Sequence, residues 1–201
     1  ADFESRLVNG FENCEVGDFD VVAVPTTAGT GSEVTPFATI WDTVRKRKRS
    51  ISGNGLRPRH AIVDSSLLHT LRSEELLFPA LDAVSHAVES LWSRGSTGQS
   101  RIHAATGLGL LSGSVASCLT ESPDLERLSL GSLHAGLAIA QSRTSIAHSI
   151  SYTLTLWYGV PHGLACSFTL RAVHHLLLDQ LGVYCEEIDW IRRTLQDLEV
   201  L

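Results

Sequence analysis

The stretch PALDAVSHAVESLWSRG, Pro79 to Gly95, decides how the greater part of the chain folds. It is framed by Pro79, which a first helical turn tolerates, and by Gly95, a common helix stop. Between them Leu81, Val84, Val88 and Leu91 recur at helical spacing and give the segment a core face. Asp82 and His86 stand four residues apart, with Glu89 three further on, so the three share one stripe away from that face. A carboxylate and an imidazole so placed can grip one cation together. Taken alone, the same stripe more often marks a solvated polar side.

Downstream of this helix the pattern predicts further helices over Arg101–Leu119, Leu125–Leu156, Leu164–Leu178 and Glu186–Leu198. Upstream the character is strand and turn. Val21–Val24 reads as a short apolar strand entering the loop AVPTTAGTGSEVTP, Ala23 to Pro36. Phe37–Trp41 reads as a second strand, and Ala61–Val63, after Pro58 and ending at Asp64, as a third. A strand-rich segment therefore precedes an all-helical one, with the junction near Asp64. The run GLGLLSG, Gly107 to Gly113, lacks the preceding strand and the spacing of a dinucleotide fingerprint and reads as helix packing.

At 201 residues, with 43% apolar and 19% charged side chains, the composition is that of an ordered soluble protein with a substantial core. The net charge of −6 and the short basic run Arg45–Arg49, without interleaved aromatics, speak against a nucleic-acid surface. The longest uncharged run, Thr144 to Leu170, has the length of a membrane span but contains His148, Gly159, Pro161 and His162, and reads as protein interior. The opening residues lack the pattern of a signal peptide, and Cys14, Cys118, Cys166 and Cys185 are scattered, so a cytoplasmic protein with reduced thiols is expected.

Two histidines sharpen the metal reading. His148 lies in QSRTSIAHSISYTL, a nearly charge-free stretch that reads as a buried helix, and His162 in GVPHGLACSF, where Pro161 and Gly163 fix a turn. A buried imidazole needs partners for both ring nitrogens, and a single one usually finds them in backbone carbonyls. Two of them together with the Asp82/His86 stripe favour a shared cation. One carboxylate and three imidazoles suit Fe2+ or Zn2+, and the set lacks the thiolates of a structural zinc knot. His60, His69, His103, His134, His174 and His175 show no distinguishing context.

Three motifs, VPTTAGTGSEVT, then ALDAVSHAVES, then AHSISYTLTLWYGVPHG, resemble in order the signature stretches of the iron-dependent (group III) alcohol dehydrogenases, over about Val21 to Leu170. The resemblance implies a truncated dehydroquinate synthase-like fold: an α/β remnant over residues 1–66, carrying part of a dinucleotide site, and an all-α metal-binding domain over 67–201. It implies a divalent metal, Fe2+ or Zn2+, held by Asp82, His86, His148 and His162, and NAD(P) as hydride carrier. Thr26, Thr27, Gly29, Thr30 and Ser32 would line the dinucleotide, where backbone amides and hydroxyls can meet phosphate and ribose oxygens. Lys48 matches a family lysine near the cofactor, against the plain reading of an exposed basic turn. The expected partner is a small aldehyde or alcohol, with a homodimer as one possible assembly.

The chain departs from the pattern twice. Where many members carry a further histidine approaching the nicotinamide, this sequence has Tyr152, whose phenol can orient substrate or pass a proton. The wording SRTSIAHSISYTLTLWYGVPHGLACSF looks most like the phosphonoacetaldehyde reductase branch, which would make Arg143 a candidate for the anionic group of the substrate. Second, the family's Gly-Gly-Gly-Ser pyrophosphate loop does not occur in the sequence, so the chain reads as the core section of a longer enzyme, a fragment or truncated gene product. The competing readings are a non-catalytic remnant that binds metal or a partner subunit and, last, a dehydroquinate-synthase-like lyase.

Overall fold

The computed structural model describes residues 20–181. The strands are short and the helices dominate. β1 (Val22–Ala23) pairs in parallel with β4 (His60–Ala61), while β2 (Phe37–Asp42) and β3 (Arg47–Ser52) form an antiparallel hairpin in which Trp41 faces Lys48. The hairpin turn is closed by Asp42, whose carboxylate accepts from the Arg45 N–H at 2.8 Å, and Lys46 takes the left-handed conformation, φ 53°. The basic run Arg45–Arg49 is thus a turn and the start of a strand: Arg45, Lys46 and Arg47 face solvent while Lys48 and Arg49 are half-buried.

Among the described residues five α-helices follow: α1 (Ser73–Trp92), α2 (Gly98–Ser114), α3 (Leu125–Ser142), α4 (Ile146–Tyr158) and α5 (His162–Leu181). Helix α1 begins at Ser73 rather than Pro79. Glu74 and Glu75 favour its positive end, and the Glu75 carboxylate accepts from the Arg72 N–H at 2.9 Å. Pro79 therefore lies inside the helix, where its missing N–H breaks one rung of the ladder. Two other segments press on that point. A Cβ on Gly29 would overlap Pro79, and a Cβ on Gly163 would overlap the Phe78 carbonyl. The opening loop and the start of α5 are consequently held against α1 one turn before Asp82.

The sequence predicts one helix over Leu125–Leu156; the chain instead breaks into α3 and α4 at Arg143. Arg143 has φ 61° and ψ 174°, a conformation that side chains with a Cβ rarely adopt and that ends a helix outright. Gly159, at φ 69°, closes α4 with its N–H on the Thr155 carbonyl at 3.1 Å. The segment read as a helix over Glu186–Leu198 lies outside the described residues, as do Cys14 and Cys185.

The core runs between α1, α2 and α3, where Val84, Val88, Leu108, Leu111 and Leu128 are fully buried. Gly107, in the run read as helix packing, lets α2 approach the Gly131 carbonyl of α3. The segment Gly98–Leu119 is long and apolar enough to cross a membrane, but its Ala104, Leu108 and Leu111 are fully buried in this core. Every residue from Ala80 to Ser90 is buried. The Asp82/His86/Glu89 stripe is therefore not a solvated side: α4 and α5 cover it.

Candidate metal centre

The geometry starts from Glu89, whose side chain is fully buried. Its carboxylate accepts from the N–H groups of Ser145 (3.0 Å) and Ala147 (2.7 Å), from the Ser145 hydroxyl (2.7 Å), and faces His148 Nδ1 at 2.5 Å. It thus caps the N-terminus of α4 from another helix, where free N–H groups and the helix dipole both favour an anion. Burial opposes its charge, but His148 and Ser145 outweigh that and hold its carboxyl below the usual range. A carboxylate at Nδ1 fixes that nitrogen as the one bearing hydrogen and leaves the Nε2 lone pair pointing the other way.

His148 Nε2 points to Asp82. The two atoms lie 3.2 Å apart, yet neither Asp82 Oδ1 nor His148 Nε2 has a hydrogen-bond partner of acceptable geometry, and both are buried. His162 Nε2 lies 3.9 Å from the same Asp82 oxygen and His86 Nε2 3.6 Å from it. Buried polar atoms without partners cost about 1–3 kcal/mol each, so two such atoms converging on one spot signal something else that binds there. A divalent cation fits: three imidazoles and a carboxylate around one oxygen are the donors it uses.

Electrostatics agree with that fit. Burial opposes ionisation of Asp82, but His86, His148 and His162 outweigh it and keep its carboxyl well below the usual carboxylate range. Burial pushes His86 down to about 4, so this imidazole is neutral at pH 7. Burial also lowers His162, with His148 and Lys48 acting in the same direction against Asp82. Only His148 goes the other way: Asp82, Cys166 and Glu89 overcome its burial and raise it well above the usual value, which makes its Nε2 a place where a positive charge is wanted.

The four expected donors do not stand alike. Asp82, His148 and His162 offer atoms within 4.8 Å of one another, and the fourth member of that group is Cys166. His86 instead stacks on His148, with ring centroids 4.8 Å apart and planes at 16°. His86 Nε2 nevertheless lies 3.6 Å from Asp82 Oδ1, nearer than His162 Nε2 at 3.9 Å. Cys166 is buried one helical turn after His162, and burial raises its thiol above the usual value.

These donors form the floor of a cleft of about 730 Å³. Its walls carry Lys48, Arg143, Tyr152, Trp41 and, from the opening loop, Thr30 and Ser32. Lys48 Nζ lies 3.6 Å from the centre of the Tyr152 ring, which itself stacks on His162 (6.1 Å, 18°), while Trp41 meets His162 edge-on at 5.3 Å. Lys48 thus stands on the cleft wall and not on an exposed turn. Thr26 and Thr27 are exposed away from the cleft lining, and Gly29 is buried against Pro79. The three are not brought to the cleft; Gly29 serves close packing. Outside the site, His103 and His134 meet across α2 and α3, Nδ1 to Nδ1 at 3.1 Å.

Comparison with known proteins decides the lineage. Residues 5–65 match the family model of iron-containing alcohol dehydrogenases, and residues 78–191 match the C-terminal model of the same family. The chain is an iron-containing alcohol dehydrogenase family member. Within that family it is 43% identical over 153 residues to a phosphonoacetaldehyde reductase of Streptomyces viridochromogenes, covering 75% of this chain and 39% of the relative. It is 35% identical over 149 residues to a bifunctional aldehyde-alcohol dehydrogenase of Escherichia coli, covering 72% of this chain and 17% of the relative. Among solved structures, an iron-containing alcohol dehydrogenase of Thermotoga maritima superposes with a TM-score of 0.78 at 31% identity, over 87% of this chain and 47% of that one. A sulfoacetaldehyde reductase of Bifidobacterium kashiwanohense in complex with NAD+ superposes at 0.74 and 30% identity, over 89% of this chain and 51% of that one. This family member spans less than half the length of the curated relatives named here.

Proposed function

We propose that the chain is the metal-binding part of an aldehyde reductase, in which a hydride passes from NAD(P)H to an aldehyde carbon and a proton to its oxygen. The observation that carries this reading is the meeting of Asp82 Oδ1 and His148 Nε2, both without partners, on the floor of an open cleft. Asp82, His86, His148 and His162, which all line the cleft, would hold the cation. The cation, when bound, acts as a Lewis acid toward a carbonyl or alcohol oxygen.

The remaining tasks fall to the cleft walls. Tyr152, above His162 and under the Lys48 ammonium, is placed to orient substrate and to hand a proton to the reduced oxygen. Arg143 and Lys48 bring two cations to one cleft. Such a wall suits an aldehyde that carries a strong-acid anion, because guanidinium pairs with phosphonate or sulfonate oxygens in a fork. The names of two relatives, phosphonoacetaldehyde reductase and sulfoacetaldehyde reductase, support that substrate class. Phosphonoacetaldehyde, reduced to 2-hydroxyethylphosphonate, is the substrate we assign. Thr30 and Ser32, at the rim, are the loop residues placed to meet the dinucleotide.

The test is NAD(P)H oxidation by the metal-loaded protein with phosphonoacetaldehyde, with acetaldehyde as control. Turnover with a lower KM for the phosphonate supports the assignment. Metal binding without NAD(P)H affinity or turnover overturns it in favour of a non-catalytic metal-binding remnant.

A further inference from the structure

His103 and His134 take no part in the cleft. Three cross-links join α2 and its cap to α3 in opposite chain order. Thr97 Oγ1 donates to Gln141 Oε1 at 2.8 Å, His103 Nδ1 meets His134 Nδ1 at 3.1 Å, and the Arg127 guanidinium donates to the Gly109 and Leu110 carbonyls at 2.8 and 3.3 Å. The histidine pair therefore sits between two fixed ends. Gly107, one turn after His103, lets the helices close up there: a Cβ on it would stand 3.4 Å from His134 Cβ. Both histidines are half-buried. Their ring centroids are 5.2 Å apart, farther than the two nitrogens, so each Nδ1 is the inner edge of its ring.

Without an ion, one Nδ1 bears a hydrogen and the other accepts it. Burial and the neighbouring His103 both lower His134 below its usual value, which keeps that ring neutral and able to offer a lone pair near pH 7. A cation bonded to nitrogen at about 2.0–2.1 Å holds neighbouring nitrogens roughly 2.8–3.4 Å apart, for angles between a right angle and the tetrahedral one. The 3.1 Å found here falls inside that range. Imidazole donors suit Zn2+, Cu2+ and Ni2+, whereas Mg2+ and Ca2+ take oxygen. We propose that His103 and His134 form a second cation site, a bidentate chelate for Ni2+, Cu2+ or Zn2+ that clamps α2 to α3 independently of the cleft. On binding, the hydrogen at Nδ1 passes to Nε2 of the same ring, both Nδ1 lone pairs turn to the ion, and water fills its remaining positions. Two protein donors against four make this the weaker site, filled when free metal is in excess. An ion that binds the folded chain alone shifts the folding equilibrium toward it, so the clamp stabilises the packing of α2 on α3.

The experiment is equilibrium dialysis against excess free Ni2+. The unmodified protein is expected to bind one more ion per chain than His103→Ala or His134→Ala. Each variant is expected to bind that ion at least about 100-fold more weakly, because a second donor already in place acts at high effective concentration. Excess Ni2+ is also expected to raise the denaturant midpoint of His148→Ala, which lacks a cleft ligand, and to leave that of the double variant His103→Ala/His148→Ala unmoved. Equal Ni2+ binding by the unmodified protein and both single variants overturns the site and leaves a hydrogen-bonded pair only. An extra ion that disappears in His148→Ala and persists in His103→Ala belongs to the cleft and overturns the proposal as well.

Discussion

Glu89 Oε2 sits 2.5 Å from His148 Nδ1 while the same carboxylate holds the first N–H groups of α4. One residue therefore fixes both the direction of an imidazole and the start of the helix that carries it. Replacing Glu89 by Ala takes the acceptor from four donors, the Ser145 N–H and hydroxyl, the Ala147 N–H and His148 Nδ1, of which the buried ones cost about 1–3 kcal/mol each when left unpaired. The expected loss of stability is at least about 3 kcal/mol, read from denaturant midpoints at constant slope. Glu89→Gln, which keeps the shape, is expected to fold and to bind a divalent cation about 10–100-fold more weakly, as outer partners of metal-bound histidines do. Unchanged affinity in Glu89→Gln removes the orienting role.

Arg143 holds a backbone conformation suited to glycine and lines the cleft. Arg143→Gly is expected to raise stability by about 1–2 kcal/mol, since strain of this kind costs of that order. The same change is expected to raise KM for phosphonoacetaldehyde at least 10-fold while leaving KM for acetaldehyde within about 2-fold, the loss of one charge-assisted contact being about 1.5–3 kcal/mol. Equal effects on both substrates contradict the anion-binding role.

Gly163 adjoins His162 and touches the Phe78 carbonyl of α1. A methyl group there has no room, and overpacking of this kind costs about 1–3 kcal/mol. Gly163→Ala is expected to lower the unfolding midpoint and to weaken cation binding, because α5 must move away from Asp82 and takes His162 with it. Calorimetric titration with Zn2+ measures the second effect. Wild-type affinity in a destabilised Gly163→Ala separates the packing from the site.

Glu33, in the opening loop, is buried, and burial raises its carboxyl above 4.5 against the opposing pull of its own backbone N–H. The folded state thus binds this proton more tightly than the unfolded one. Its contribution is fully present below pH 4.5 and is lost as pH rises through the raised value, so stability falls across that window. Glu33→Gln is expected to flatten the decline between pH 4.5 and 7, measured by denaturant unfolding at a series of pH values. An identical slope in the variant overturns the assignment.

Legibility in the sequence followed the range of the interaction. The Asp82/His86/Glu89 stripe is readable because a helix sets its spacing locally, and His148 and His162 stand out as imidazoles in charge-free surroundings. The break at Arg143 is not readable. QSRTS contains neither Gly nor Pro, arginine forms helices well, and the cap that starts α4 is supplied by Glu89 from α1, far away in the chain. Strand β3 is hidden because a basic run reads as solvent-facing turn, whereas its partner is the half-buried β2. Pro79 misleads in the opposite sense: it reads as a beginning, and the acidic pair Glu74/Glu75 before it is the real one.

The whole account rests on Asp82, His148 and His162 sharing one cation, and the stoichiometry of that ion tests it most directly. After stripping with chelator and reloading with Zn2+ or Fe2+, elemental analysis is expected to find one ion per chain in the unmodified protein. Asp82→Asn, His148→Ala and His162→Ala, each shown to be folded by circular dichroism, are expected to lose it. Full occupancy retained in all three folded variants contradicts the shared site and leaves the three side chains as neighbours only.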